Sequence, residues 1–526
     1  MGYKEFSQYF IWRVQRLLKP EGEIGLLVSN GVLLKHQDKS VAFRQEWLKQ
    51  NKIRLICSFA HVRHSFFKAA IAPFIAVFFS PAREEDALRS VLTYVSVKRN
   101  SMTTELQAVI FDKTDVRKAR QNEFLIHDWL WKAYMWGSFE DIELIEELRS
   151  LYRPLREIID ESGSGYEVKK KGRTKRTDEI NVSQELPKGS LKTRKSVLES
   201  LIPLESRAVA RLGNVNIYEG HRILVKRGVS RSDNNGEIQA VLVDEPFAFK
   251  NDIFGFKVDS LSGNKRKILL GILLSSLTKY YHFLTCSTWG FWHDEIHLNE
   301  HLDLPIVFPD SPELTRRIVE SVDRLENQDS YSPLFNWKAE DHYSAQDDLD
   351  TAIFELYGLS EAQKSLVRDL CNITLEFFYR GMNAQAIQPP SEIQLNEYVE
   401  TFLKAWRDRL QPVGKALETN VFAPKNSLLY GMSFELKNLG QAKELAYITD
   451  DAEWQEWLNR LGGALRQKLG DNIYIDKVLK ELTDSSMLII KRAELRLWTK
   501  SQARQDAGEL LTEVFKQEWQ RGERVA

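Results

Sequence analysis

Leu17-Leu18-Lys19-Pro20-Glu21-Gly22-Glu23-Ile24-Gly25-Leu26-Leu27-Val28 reads as a helix end, a turn and a strand. Upstream, Phe6, Tyr9, Phe10, Val14, Leu17 and Leu18 recur at helical spacing over 3–18. Lys19-Pro20-Glu21-Gly22 stops that helix, because proline cannot continue it and glycine tolerates the turn. Glu23 to Val28 is an apolar run of strand length, followed by Ser29-Asn30-Gly31. Ser40 to Asn51 predicts a second helix with Val41, Phe43, Trp47 and Leu48 on its apolar face. Ile53 to Phe59 and Ile71 to Ser80 predict two further strands. Strands alternating with helices imply a partly parallel α/β sheet.

The quoted run resembles the "LLKPGG-x-x-G-hydrophobic-hydrophobic-V" segment of amino-group DNA methyltransferases. It is most similar to the adenine-N6 enzymes of the TaqI and type IIG restriction-modification kind. Other pieces follow in the same order. Phe43-Arg44 and Leu48 resemble the family's "fR-x-x-L" helix with one extra residue. Phe66-Phe67, Ala70 and Ile75-Ala76-Val77 resemble its "vF-x-x-a…ivv" hairpin. The resemblance implies that an aromatic residue of this hairpin stacks on a flipped adenine. Phe67 matches that position and Phe66 is the neighbouring alternative; the residues alone read equally well as core.

Two motifs of the family are not found. Its S-adenosylmethionine turn and its [Asn/Asp/Ser]-Pro-Pro-aromatic loop would both lie upstream of Tyr3. Gln388-Pro389-Pro390-Ser391 has the prolines without the flanking residues and follows a helical pattern, so it reads as a linker. Gly163-Ser164-Gly165 follows a charged helix rather than a strand, the wrong context for a nucleotide loop. No catalytic residue is therefore expected in this chain. S-adenosylmethionine is expected to be bound mainly by a partner chain.

Trp131-Lys132-x-x-Met135-Trp136-Gly137 resembles the family's entry to its target-recognition domain, with Asp141 one residue later than the pattern. Gly220-x-Arg222-Ile223-Leu224-Val225-Lys226-Arg227-Gly228 resembles "g-x-R-hhh-x-R-G" of the specificity domain. Leu270-Gly271-Ile272-Leu273-Leu274-Ser275-Ser276 resembles "LGhLNS", with Leu274 in place of asparagine. Cys286-Ser287-Thr288-Trp289-Gly290 and Leu302-Asp303-Leu304-Pro305-Ile306 resemble "S-x-WG" and "h-x-LPh". Asp348-Leu349-Asp350 through Tyr357-Gly358-Leu359-Ser360 resembles "LD-x-hh-x-x-LYGLs", with Gly358 a helix C-cap and Ser360 the next N-cap.

The family reads base edges in the major groove from such a domain. Arg222, Lys226, Arg227, Arg231, Lys265 and Arg266 are the candidate DNA contacts, each of which also reads as an ordinary surface charge. From Gly165 to Lys195 lie ten basic residues, among them Lys169, Lys170, Lys171 and Arg173, against four acidic ones. The tract reads either as a solvated loop or as a phosphate-contacting loop.

The whole chain bounds these readings. Its 526 residues suffice for about three domains. The expected order is a partial Rossmann-like methyltransferase sheet (1–120), an α+β target-recognition domain with a basic loop near 165–195 (121–330), and a mostly helical domain (331–526). A net charge of −1 supplies no global attraction to nucleic acid, so binding must rest on local patches. Cys57, Cys286 and Cys371 are far apart and odd in number, which fits a reducing cytoplasm and no zinc cluster. No apolar run reaches membrane-spanning length. His293, His297 and His301 would share one helical face, but the glutamate of H-E-x-x-H is misplaced, so no metal is expected.

The expected function is a subunit of a split adenine-N6 DNA methyltransferase of a restriction-modification or antiphage system, inactive alone. It would stack the flipped base and recognise double-stranded DNA. A second polypeptide would carry the N-terminal methyltransferase half, alongside other defence-system subunits. The alternative is a catalytically inactive DNA-recognition or scaffold subunit. A nuclease is a third class, but the sequence carries no convincing acidic-lysine signature or histidine-metal motif for it.

Overall fold

The computed structural model describes residues 6–19, 21–69, 72–101, 115–168, 175–229, 236–327, 338–425, 427–442, 445–459, 478–482 and 486–523. They form a mixed α/β protein of several small sheets and many helices. Two compact units interleave along the chain. The first holds 1–56, 70–92 and 119–371; the second holds 57–69, 93–118 and 372–526.

The opening helix is α1, Phe6–Gln15. After it the chain turns with Glu21 in the left-handed region at φ 64°. Gly22 is needed for space instead, since a Cβ there would lie 2.7 Å from the Leu18 side chain and 3.0 Å from the Lys19 carbonyl. The strands β1 (Ile24–Ser29), β2 (Asn51–Ser58), β3 (Phe74–Pro81), β4 (Val91–Ser96) and β5 (Val116–Arg120) form one sheet in the order β1-β3-β2-β4-β5. β3 lies between the first two strands and runs antiparallel to β1, pairing Ile24 with Phe79 and Val28 with Ile75. The Asp38–Gln50 helix covers it with Phe43, Trp47 and Leu48, all buried. Trp47 meets Phe79 edge-on at 5.3 Å.

Further along the first unit, an antiparallel sheet orders Ala240–Val243, Arg222–Lys226, Ile253–Lys257 and Glu161–Ser164. Its core includes Tyr166, Tyr218, Leu224, Val241, Phe247 and Phe249. The Gly263–Leu274 and Ser276–Thr285 helices follow. A Cβ on Gly271 would lie 2.9 Å from Val322 Cγ2, so this glycine lets the Pro312–Glu326 helix approach.

The second unit adds a sheet to its helices. Helices dominate to Leu410, and then a five-stranded sheet forms. Its order is Ala446–Ile448, Lys415–Phe422, Leu429–Asn438, Ser486–Arg492 and Val478–Leu482. The Glu392–Leu410 helix packs on one face through Tyr398, Phe402 and Trp406, with Ala503, Ala507 and Leu510 of the Lys500–Glu523 helix in the same core. Trp454 packs with Phe422, Leu488 and Ile490 on the other. Alternation along Met487-Leu488-Ile489-Ile490 divides these side chains between the two cores.

Candidate nucleic-acid interface

In the second unit, the turn after β2 carries the two phenylalanines of the hairpin motif. Ala60, His61 and Val62 are buried, and a single helical turn, Arg63–Phe66, follows. The Phe67 amide donates to the Arg63 carbonyl at 3.0 Å and the Ser65 amide to Val62 at 2.9 Å, fixing the turn. Phe66 is 46% and Phe67 54% exposed. Phe59 meets Phe66 edge-on at 4.9 Å and fixes that ring's inclination. The turn is seated by His61, whose ring meets Phe377 edge-on at 4.7 Å. The stretch Arg63-His64-Ser65-Phe66-Phe67-Lys68 interleaves cations with aromatics. Cations interleaved with aromatics are a pattern of strand-binding surfaces in general, and the cations here are a signal the sequence carried beside its aromatics.

In the first unit the recognition candidates divide by burial. Arg222 is fully buried and is no surface cation: it donates to the carbonyls of Gly220 at 2.9 Å and Glu245 at 2.6 Å and lies over the Phe247 ring. Burial lowers its guanidinium to about 10. Lys226 donates to Gln239 Oε1 at 2.9 Å, and Arg227 pairs with Glu295 at 2.9 Å. Arg266 donates to the Val258 and Asp259 carbonyls at 3.0 and 2.8 Å. Lys265 is exposed over Phe308. Lys169, Lys170, Lys171, Arg173 and Arg231 lie outside the described residues. In the rest of the basic tract, Arg176 pairs with Asp178, Arg194 with Glu245 and Lys195 with Glu199. Lys175, Lys188 and Lys192 are exposed.

The motif pieces of the first unit meet in space. Lys132 is buried and donates to the carbonyls of Phe283, at 2.7 Å, and Trp289. The Trp136 indole donates to the Gly290 carbonyl at 2.8 Å. Asp141 closes a capping box with Ser138 and accepts from the Tyr280 hydroxyl at 2.7 Å. Arg44, 1% exposed, pairs through Nε and Nη2 with Asp128 and donates to the Lys35 carbonyl at 2.8 Å. Burial raises the Glu300 carboxyl, but His36 at 3.3 Å and the Ser287 and His297 amides hold it at about 2. Ser360 caps the next helix with Gln363, and Gly358 takes φ 65° at the preceding helix end.

The three histidines do not share a helical face. His293 stacks on Trp292, His297 precedes a short helix, Leu298–Leu302, and His301 is buried against His282. No three ligating side chains cluster for a metal among the described residues. Gly163-Ser164-Gly165 does not form a nucleotide loop. Gly163 and Ser164 lie in a strand, and a Cβ on Gly165 would strike the Phe249 and Lys250 backbone, so protein already fills that space. Pro389-Pro390 precedes the Ser391 N-cap of the Glu392–Leu410 helix. No described helix is long and apolar enough to cross a membrane.

No family model and no curated protein matches the chain. Among solved structures, the chain is similar to the type IIG restriction endonuclease BpuSI. The identity is 12% and the TM-score 0.26, over 68% of this chain and 50% of that one. It is also similar to the type IIL restriction-modification enzyme MmeI, solved in complex with DNA. There the identity is 11% and the TM-score 0.39, over 72% and 52%. The chain thus spans about half the length of each enzyme.

Proposed function

We propose that this chain is the base-stacking and DNA-recognition part of an adenine-N6 DNA methyltransferase of a restriction-modification or antiphage system. Its sheet is the C-terminal portion of a Rossmann-like methyltransferase sheet, completed by a second polypeptide. That polypeptide would hold S-adenosylmethionine and the catalytic loop, whose motifs the sequence of this chain does not carry. The observation that carries the reading is the exposed Phe66-Phe67 pair on a turn that follows buried Ala60, His61 and Val62. An amino group within a duplex is out of reach of chemistry until its base is extruded, and an exposed ring gives the extruded base a stacking surface.

The reading of a partner rests on the first unit. Among the described residues β1 is an edge strand, paired only with β3. Leu27 on it is 61% exposed, and α1 exposes Phe6 at 81% with Tyr9 and Phe10. Proteins normally cover such edges and apolar faces.

The test is affinity capture from the native host, followed by methyl transfer to DNA from labelled S-adenosylmethionine. The expected result is co-purification of a chain bearing an Asn-, Asp- or Ser-Pro-Pro-aromatic loop, with transfer only when both chains are present. DNA binding with no such partner and no transfer would replace this reading with the inactive recognition subunit.

A further inference from the structure

Arg63 and Arg99 belong to the second unit and are tied to one point of it. Arg63 Nη1 donates to the Ala60 carbonyl at 2.8 Å. The Arg99 amide donates to Nδ1 of His61, the next residue, at 3.3 Å. Both side chains are half-buried. Arg63 Nε is buried without a hydrogen bond, and neither guanidinium pairs with a carboxylate among the described residues.

Arg99 lies tight against Gly381, where φ is 55° and any Cβ would collide with Nη1. Burial lowers both arginines below their usual range, and the Arg99 charge lowers Arg63 further. Burial also holds His61 well below its usual range, and Arg99, Lys98 and Arg496 add to that. A buried guanidinium nitrogen without a hydrogen bond, with a second half-buried cation bearing on it, is costly unless an anion joins them. Other basic groups nearby are already engaged: Arg496 pairs with Glu494, and Lys98 donates to the Ser96 carbonyl at 2.9 Å.

We propose that Arg63 and Arg99 form a seat for a backbone phosphodiester of the nucleotide that stacks on Phe66 or Phe67. The inference rests on the base-stacking reading above and deepens it by assigning the sugar–phosphate its own contact. Guanidinium forks match phosphate oxygens in pairs, and such contacts fix position without reading sequence. Exposed Lys68 extends the positive surface beside the rings. Aromatic platforms flanked by cations are how proteins hold an unpaired strand.

The experiment uses the full chain and a duplex carrying 2-aminopurine opposite a mismatch. Binding is titrated over a salt series, for wild type and for Arg63→Gln combined with Arg99→Gln. The log–log salt slope is expected to fall by about 1 in the variant, the share of the one phosphate that is no longer neutralised. Affinity at low salt is expected to drop about tenfold or more. The paired lysine variant, Arg63→Lys with Arg99→Lys, keeps the charges and recovers most of the slope if the loss is electrostatic and not a folding defect. An unchanged slope in the glutamine variant, with wild type binding and 2-aminopurine responding, overturns the seat and leaves base stacking standing.

A second arm does not depend on DNA binding. Inorganic phosphate, exchanged for chloride at constant ionic strength, is expected to raise the melting temperature of wild type and not of the glutamine variant. Phosphate stabilisation without any DNA binding would overturn the nucleic-acid assignment and leave a free-phosphate site. No phosphate effect together with an unchanged salt slope would remove the site altogether.

Discussion

Asp350 caps the helix that begins at Ser276: its Oδ1 accepts from the Ser276 amide at 2.7 Å and its Oδ2 from the Ser276 hydroxyl at 2.6 Å. The two residues come from separate motif pieces, 74 positions apart. Asp350 is buried, and burial raises its carboxyl even though Ser276 pulls it down. Asp350→Ala would leave a helix start and a hydroxyl without their acceptor inside the protein. We expect a loss of about 2–4 kcal/mol, from an N-cap and a buried hydrogen bond together. Urea unfolding checks it, and Asp350→Asn should recover part of the loss.

Lys132 is a buried cation whose donors go to backbone carbonyls of Phe283 and Trp289. Burial lowers its ammonium, against which Cys286, Glu300 and Asp294 pull it back up. Lys132→Met should fill the same space while removing both hydrogen bonds. The expected cost is about 2–3 kcal/mol. It should appear in the urea midpoint, with faster amide exchange around 283–290.

His282 and His301 give the first unit a response to acid. Their rings lie 4.7 Å apart, both fully buried. Burial holds His282 well below its usual range, and it holds His301 at about 4 against an unfolded value of 6.5. The unfolded chain therefore binds protons first as pH falls, and stability falls with it. The contribution is whole above pH 6.5 and is lost toward pH 4. For His301 alone the loss amounts to about 3 kcal/mol. Glu300, held at about 2 from 4.5, and half-buried His297 adjoin this pair. The Glu300 share is lost only below pH 4.5, so the interval above that isolates the histidines. His301→Phe, against Phe254 and Phe256, should flatten the profile between pH 6.5 and 4.5 in thermal melts.

Phe67→Ala and Phe66→Ala remove half-exposed rings, so stability should change by only about 1 kcal/mol. If Phe67 carries the stacked base, its removal should cost about 1–3 kcal/mol of binding to a duplex with an extruded base. 2-Aminopurine fluorescence should then show less extrusion. An equal effect at Phe66 alone would move the stacking role one residue back.

Leu27→Lys places a charge on the open side of β1. Charged edge residues block strand addition. The variant should keep its melting temperature and lose the co-purifying chain in affinity capture. Retention of that chain would put the contact elsewhere.

What the sequence disclosed was mostly local. Ser360 and Gly358 announced their caps because capping depends on residues within one turn. The β1, β2 and β3 segments were legible from apolar runs, though the insertion of β3 between the other two was not, since register depends on distant partners. Arg222 was read as a DNA contact because a basic residue ends an apolar run, yet nearby carbonyls and Phe247 take it inside. The extent and pairing of the second unit's sheet were not legible, because Lys415–Phe422 mixes polar and apolar residues and its neighbour Leu429–Asn438 pairs onward with distant Ser486–Arg492. Arg99 is tied to His61 and Arg63 to Ala60 from positions well apart in sequence, so that convergence had no local signature.

The second unit is sewn from early and late parts of the chain: the Ser101 hydroxyl donates to Glu494 at 2.7 Å across 393 positions. Phe377, under His61, is likewise made long after the turn it supports. A ribosome therefore releases Phe66 and Phe67 long before it makes Phe377, which supports their turn. A transcript cut short by a premature stop would keep both rings in its sequence and lose the surface that presents them.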